Sequence, residues 1–163
     1  MESLEEQLAR YKGMPKIQRD FTENFDGVID DRNRLVIPKE YREILQRITP
    51  ESNTLALTLG YIDNAMGSIR VIFFLPELLY NQKSTQVEET GDIRLQYEFA
   101  SNHYIRSWDE QGRILLPQQL ILPTNVSKEN DVKIIGCGNI FAAKGTRVDR
   151  IDVIGYVNDA KEV

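Results

Sequence analysis

The chain has 163 residues, with 20 Lys and Arg against 25 Asp and Glu, for a formal net charge of −5. With 41% hydrophobic and 28% charged residues it reads as a soluble globular chain, one domain or two interlocked half-domains, too apolar for disorder. No apolar run approaches the ~20 residues that cross a bilayer, and the acidic balance disfavours nucleic acid unless Lys and Arg cluster locally.

The first stretch, MESLEEQLARYKG, lacks the apolar core of a secretory signal, so the chain is expected to be cytosolic and reduced. Ser3 and Glu6 have capping-box spacing, and Leu4, Leu8 and Tyr11 recur at helical intervals. Residues 1–20 therefore read as a partly helical extension, either frayed or packed on a neighbour. From Phe25 the pattern sharpens. Two β-like runs, Phe25–Ile29 and Leu35–Ile37, flank a tight turn at Asp30-Asp31-Arg32-Asn33, where Asn33 tolerates a left-handed backbone. Pro38 sits where proline favours the first helical position. Behind it Tyr41, Ile44, Leu45 and Ile48 form an amphipathic stripe that Thr49-Pro50 stops. Thr54–Leu59 alternates like a half-buried strand, with Leu55, Leu57 and Leu59 on one face. Tyr61–Ser68 reads as a loop, and Val71–Leu75 as a buried strand closed by Pro76. Pro76–Tyr80 opens a helix, Asn81–Gly91 is polar, and Ile93–Ser101 reads as a second helix.

Then the first pattern returns. Tyr104–Trp108 leads into Asp109-Glu110-Gln111-Gly112-Arg113 and an apolar triplet ending at Pro117. DDRNRLVIP and DEQGRILLP share one layout: Asp, three residues, Arg, three mainly apolar residues, Pro. The offset from Asp30 to Asp109 is 79 residues. A short helix around Leu120 is ended by Pro123, and Asp131–Ile135 with Ile140–Ala143 forms a hairpin across Gly136-Cys137-Gly138. Two copies are too few for a solenoid, which points to a duplication sharing one pseudo-symmetric core.

At Asp30-x-x-x-Arg34-x-x-x-Pro38-x-x-x-Arg42, with Asp109-x-x-x-Arg113-x-x-x-Pro117 as the second copy, the chain resembles the MraZ family over roughly residues 21–143. That resemblance implies an α+β fold of two β-rich swapped-hairpin (SpoVT-AbrB-like) half-modules in pseudo-two-fold repeat with intervening helices. It divides the chain into an extension 1–20, a first module 21–80, a connecting helical segment 81–102, a second module 103–150 and a tail 151–163. It further implies a transcriptional regulator, a repressor of the division and cell-wall gene cluster, that binds repeated operator elements in double-stranded DNA as a ring-shaped homo-oligomer. Such a protein would be cytoplasmic and nucleoid-associated, with no membrane, cofactor, metal or small-molecule substrate. Arg34 and Arg113 carry over as DNA contacts, with Arg32 helping, and Asp30, Pro38, Arg42, Asp109 and Pro117 support the motif. Five departures stand out. Asn33 replaces a glycine, Glu110-Gln111 gives the second copy no further cation, Ile121 stands where the first copy has Arg42, Ala142-Ala143-Lys144 replaces an acidic-apolar-Trp ending, and residues 1–20 are extra.

The chemistry of the turns fits that reading. A guanidinium is a fork of donors suited to phosphate oxygens and guanine edges, and an Asp four residues earlier can hold it in place. Residues 30–47 carry five cations (Arg32, Arg34, Lys39, Arg42, Arg47) against four carboxylates (Asp30, Asp31, Glu40, Glu43). So weakly positive a tip needs several subunits on repeated sites for useful affinity. The plainer alternative makes both Asp–Arg pairs structural turn closures, and the protein a scaffold of the same fold that has lost DNA binding. Enzyme readings fare worse. Gly136-x-Gly138 and Lys144-Gly145-Thr146 fail the order a phosphate loop requires. The adjacent acids Glu88-Glu89 and Asp109-Glu110 do not make opposed carboxylates. His103 reads as surface or interface, Cys137 as inert, and Val71–Leu75 with Trp108 as core.

Overall fold

The computed structural model describes residues 2–65 and 67–146; the expected tail 151–163 and residues 147–150 of the second module lie outside them. The capping box forms as its spacing implies: Ser3 Oγ accepts from the Glu6 amide at 3.1 Å, and the Ser3 amide donates to Glu6 Oε1 at 3.3 Å. Helix α1 (Leu4–Gly13) is packed rather than frayed. It buries Tyr11, and Arg10 donates to the Arg47 carbonyl at 3.2 Å. Arg19, ending the single turn α2 (Lys16–Arg19), donates back to the Tyr11 carbonyl at 2.9 Å.

Strand β1 (Phe25–Asp26) is shorter than its apolar run, because only Phe25 and Asp26 pair with the sheet before the chain leaves it. Strand β2 (Arg34–Val36) follows the turn, and α3 (Lys39–Ile48) buries Tyr41, Leu45 and Ile48 of the anticipated stripe. Strands β3 (Thr54–Asn64) and β4 (Gly67–Pro76) form one long hairpin, which corrects the loop expected at residues 61–68. Gly60, Asp63, Asn64 and Gly67 resemble a broken loop in sequence. In the structure Gly60 lets the Phe73 ring lie across the neighbouring strand, where a Cβ would stand 2.1 Å from that ring. Leu55, Ala56 and Leu57 are all buried, while Leu59 emerges at 38% exposure as the sheet loses its cover.

The polar stretch after Tyr80 is also helical. Helix α4 (Glu77–Glu89) is anchored by buried Leu78 and Leu79 and continues outward on good helix formers. Helix α5 (Ile93–Ser101) starts at Asp92, whose carboxylate accepts from the Arg94 and Leu95 amides at 3.0 and 3.2 Å. Strands β5 (Tyr104–Ser107) and β6 (Arg113–Leu115) repeat the lead-in and exit of the first turn. Helix α6 (Gln118–Thr124) contains Pro123 rather than stopping there; it ends at Asn125, in the left-handed region at φ 57°. Strands β7 (Asp131–Gly136) and β8 (Phe141–Thr146) make the expected hairpin. Pro38, Pro76 and Pro117 each stand one residue ahead of a helix, with ψ near 140°, rather than at its first position. Their fixed φ and missing N–H suit either place.

The chain is thus a mixed α+β protein with an antiparallel sheet ordered β1-β7-β8-β4-β3-β5 and a separate β2-β6 ribbon. Strands from the beginning and end of the chain interdigitate in that sheet. Phe21, Tyr41, Phe74 and Phe141 pack at its centre with ring centroids 4.8–5.0 Å apart. The Tyr41 hydroxyl donates to the Glu23 carbonyl, and burial pushes its pKa well up. Trp108 is core, as read, at 7% exposure. Among the described residues no helix is long and apolar enough to cross a membrane.

Candidate functional site

The two copies of the repeat meet in the ribbon. Arg34 pairs with Leu115, Leu35 with Ile114, and Val36 with Arg113, antiparallel and centred on the Leu35–Ile114 pair. Side chains alternate across a strand, so Leu35 and Ile114 share one face, where both are fully buried. Arg34, Val36, Arg113 and Leu115 share the other, with Leu115 49% exposed. Arg34 and Arg113 are diagonal neighbours there, with Cα atoms about 7–8 Å apart by strand geometry.

Each arginine is set by the turn that precedes it. Asp30 Oδ1 accepts from the Arg32 and Arg34 amides, both at 2.9 Å, and Oδ2 accepts from Arg34 Nε at 2.7 Å. Asp109 Oδ1 accepts from the Gln111 and Arg113 amides, both at 2.9 Å, and Oδ2 accepts from Arg113 Nε at 2.8 Å. The backbone closes identically, with the Asp30 amide on the Arg34 carbonyl and the Asp109 amide on the Arg113 carbonyl, both at 3.0 Å. The turns also lock each other. Ile37 N–H donates to the Gly112 carbonyl at 2.8 Å, and Leu116 N–H to the Asn33 carbonyl at 2.9 Å. The fourth turn residue is left-handed in both copies, Asn33 at φ 60° and Gly112 at φ 79°. Asn and Gly are the residues that take this conformation most easily.

Partial burial works to raise the Asp30 pKa, but the Arg34 and Arg32 amides and the Arg34 guanidinium outweigh it, so the carboxyl titrates below the usual range. For Asp109 the Arg113 amide dominates against burial, with the guanidinium and the Gln111 amide adding to the same downward direction. Both carboxylates are therefore anionic at neutral pH and hold their arginines through Nε. Among the described residues the terminal amino groups of Arg34 and Arg113 have no other hydrogen-bond partner, and the exposed Arg32 side chain makes no polar contact. The ribbon thus presents two aimed guanidinium forks on one face, with Arg32 beside the first.

Two contacts were not foreseen from sequence. Lys128, beyond α6, pairs with Asp31 in the first turn, and its pKa is raised mainly by that hydrogen bond. Arg42, read only as motif support, lies across the second turn: a Cβ on Gly112 would stand 2.6 Å from Arg42 Nε and 2.7 Å from Cζ. Asn33 and Ile121 are visible in the sequence as two separate departures, but nothing there places Arg42 over Gly112.

The remaining candidates take structural places. The amides of Gly136, Cys137 and Gly138 donate to Asn24 Oδ1, the Ile140 carbonyl and the Phe21 carbonyl, leaving no cradle for phosphate. Burial raises the Cys137 thiol pKa, which keeps it protonated. His103, read as surface or interface, is half-buried. Its Nδ1 lies 2.7 Å from the Phe99 carbonyl, and its ring packs 4.3 Å from Phe99 and 5.3 Å from Tyr80.

No family model matches the chain. Over 100 residues it is 32% identical to "Transcriptional regulator MraZ" of Roseiflexus castenholzii, and over 100 residues 30% identical to the protein of the same name from Roseiflexus sp. strain RS-1. Each match covers 61% of this chain, and the chain spans 64% of the length of these curated relatives.

Proposed function

We propose that this chain is a MraZ-family transcriptional regulator that binds double-stranded DNA in a sequence-specific way through Arg34 and Arg113, with Arg32 assisting. The observation that carries this is the ribbon face, where two arginines, each oriented by its own ionised aspartate, stand side by side with their terminal donors uncommitted. A two-stranded ribbon fits the major groove, and a guanidinium there can take both guanine O6 and N7. The names of the two relatives support the same class of function.

In this reading residues 21–80 and 103–150 are swapped-hairpin half-modules joined by the segment 81–102. The protein assembles as a ring and represses the division and cell-wall gene cluster from repeated operator elements, in the cytoplasm and on the nucleoid. Assembly has a physical reason. One subunit offers few cations on an acidic chain, so affinity must come from several subunits engaged at once. Exposed Ile93 (80%) and Leu122 (79%) supply apolar surface for such contacts. A scaffold role is the second reading, favoured by Glu110 and Gln111, which give the second turn one carboxylate more than its arginine balances.

Selection from a random duplex library with the full-length protein, at near-physiological salt, separates the two. Regulation predicts enrichment of a short element in regularly spaced repeats. It also predicts that Arg34→Ala and Arg113→Ala abolish binding while assembly persists, because the turn amides still close on Asp30 and Asp109. No enrichment with a folded, assembled protein overturns the proposal in favour of the scaffold.

A further inference from the structure

We propose that Arg42 is a second DNA-contacting cation of the second turn, so that the two turns engage DNA as unlike halves; this rests on the reading of the ribbon as the DNA interface. Three observations carry it. First, Arg42 reaches the turn of the other copy: its guanidinium occupies the space that a side chain at Gly112 would need. Second, only Nε is committed, donating to the Ile37 carbonyl at 3.1 Å, while Arg42 stays partly exposed and its terminal amino groups have no partner among the described residues. Third, Arg42 lines an open depression on α3 with Lys39, Glu43, Gln46 and Arg47, three cations against one carboxylate.

The local two-fold makes the contrast sharp. The 79-residue offset that relates Asp30 to Asp109 carries Arg42 onto Ile121 and Gly112 onto Asn33. Ile121 is buried, so the first turn has no guanidinium from the opposite helix, and its fourth residue carries a side chain where the second turn has none. The first turn draws its two DNA-facing cations from itself, Arg32 and Arg34, while Lys128 arrives from elsewhere but is paired with Asp31. The second draws Arg113 from itself and Arg42 from α3, which offsets the missing cation between Asp109 and Arg113. On an open helix face with other cations, the chemistry Arg42 fits is a phosphate oxygen, a contact that positions and does not read sequence.

The test is a KCl titration of full-length protein binding to a labelled random-sequence duplex pool, since phosphate contacts are counted by the salt slope. Arg42→Gln is expected to reduce that slope by about one per bound subunit, and Arg42→Lys to retain it. Should Arg42→Gln fail to fold, Arg42→Met, which keeps an apolar stem over Gly112, is expected to lower the slope by the same amount. A wild-type slope in either folded variant, with Arg34→Ala and Arg113→Ala still abolishing binding, overturns the role of Arg42 and leaves the interface standing. Wild-type protein without salt-dependent binding overturns the interface itself.

Discussion

The turn at Asp30–Arg34 and the turn at Asp109–Arg113 share a hydrogen-bond frame to within 0.2 Å; the widest gap is 3.1 Å for Asn33 N–H to the Asp30 carbonyl against 2.9 Å for Gly112 N–H to the Asp109 carbonyl. Outside that frame they share little. The first displays Asp31 and Arg32, the second Glu110 and Gln111. The first is crossed by Lys128, the second by Arg42. The frame needs only an aspartate, a left-handed fourth residue and an arginine whose Nε closes the loop. What the turn shows to a partner is set by positions the frame leaves free, and by side chains arriving from elsewhere.

The largest effects should come from the shared part. Leu35→Ala and Ile114→Ala each remove a fully buried side chain from the centre of the ribbon, and each should cost about 2–5 kcal/mol. Because the two residues are directly paired, urea unfolding of the double variant should show a coupling of about 0.5–3 kcal/mol. Strict additivity would mean that the copies do not share one core. The next effect distinguishes the turns. Gly112→Ala forces a Cβ at φ 79° and into Arg42, and should cost about 1–3 kcal/mol. Asn33→Gly relieves left-handed strain but loosens the unfolded chain, and should change stability by less than ~1 kcal/mol.

These sites also show what the amino-acid pattern could disclose. The aspartate, arginine and proline positions and their offset were legible because they act within one turn, where spacing is geometry. The buried stripe of α3, helix α5 and the β7–β8 hairpin were legible for the same reason. The β3–β4 hairpin was misread because glycine and asparagine mark turns when isolated, whereas Gly60 serves a ring on the facing strand. The outer part of α4 was misread because an exposed helix needs no apolar period. Arg42 over Gly112 and Lys128 on Asp31 link residues 70 and 97 positions apart, and no local period reports such meetings.

Acid should weaken both turns alike. The Asp30 and Asp109 carboxyls have folded pKa values lowered from 3.8, so their contribution is fully present above that unfolded value and is lost as pH falls through the lower folded one. The urea midpoint of the wild type should therefore fall on acidification below about pH 4. Asp30→Asn and Asp109→Asn should each flatten that fall by a similar amount, since each carboxylate accepts the same three donors. A flattening confined to one variant would show that the matching frames are not matched in energy.

The smallest expected effect on stability is at Lys128, and it belongs to the first turn alone. The offset that maps Asp31 onto Glu110 maps Lys128 back onto Thr49, so the second turn has no corresponding strap. Both partners are well exposed, 55% for Lys128 and 81% for Asp31, so water and salt screen the pair and side-chain entropy opposes it. Lys128→Ala should leave the melting midpoint within measurement error. If the turns contact DNA as proposed, it should still matter there. Asp31 sits beside Arg32, and without Lys128 its charge would face an approaching phosphate uncompensated. The expected result is slower association with the random-sequence duplex pool at low salt, converging on the wild-type rate as salt rises, because a lost steering charge acts through a field that ions screen. A drop in melting midpoint with unchanged association would instead make Lys128 a structural brace, and the difference between the turns a matter of stability rather than of what they show to DNA.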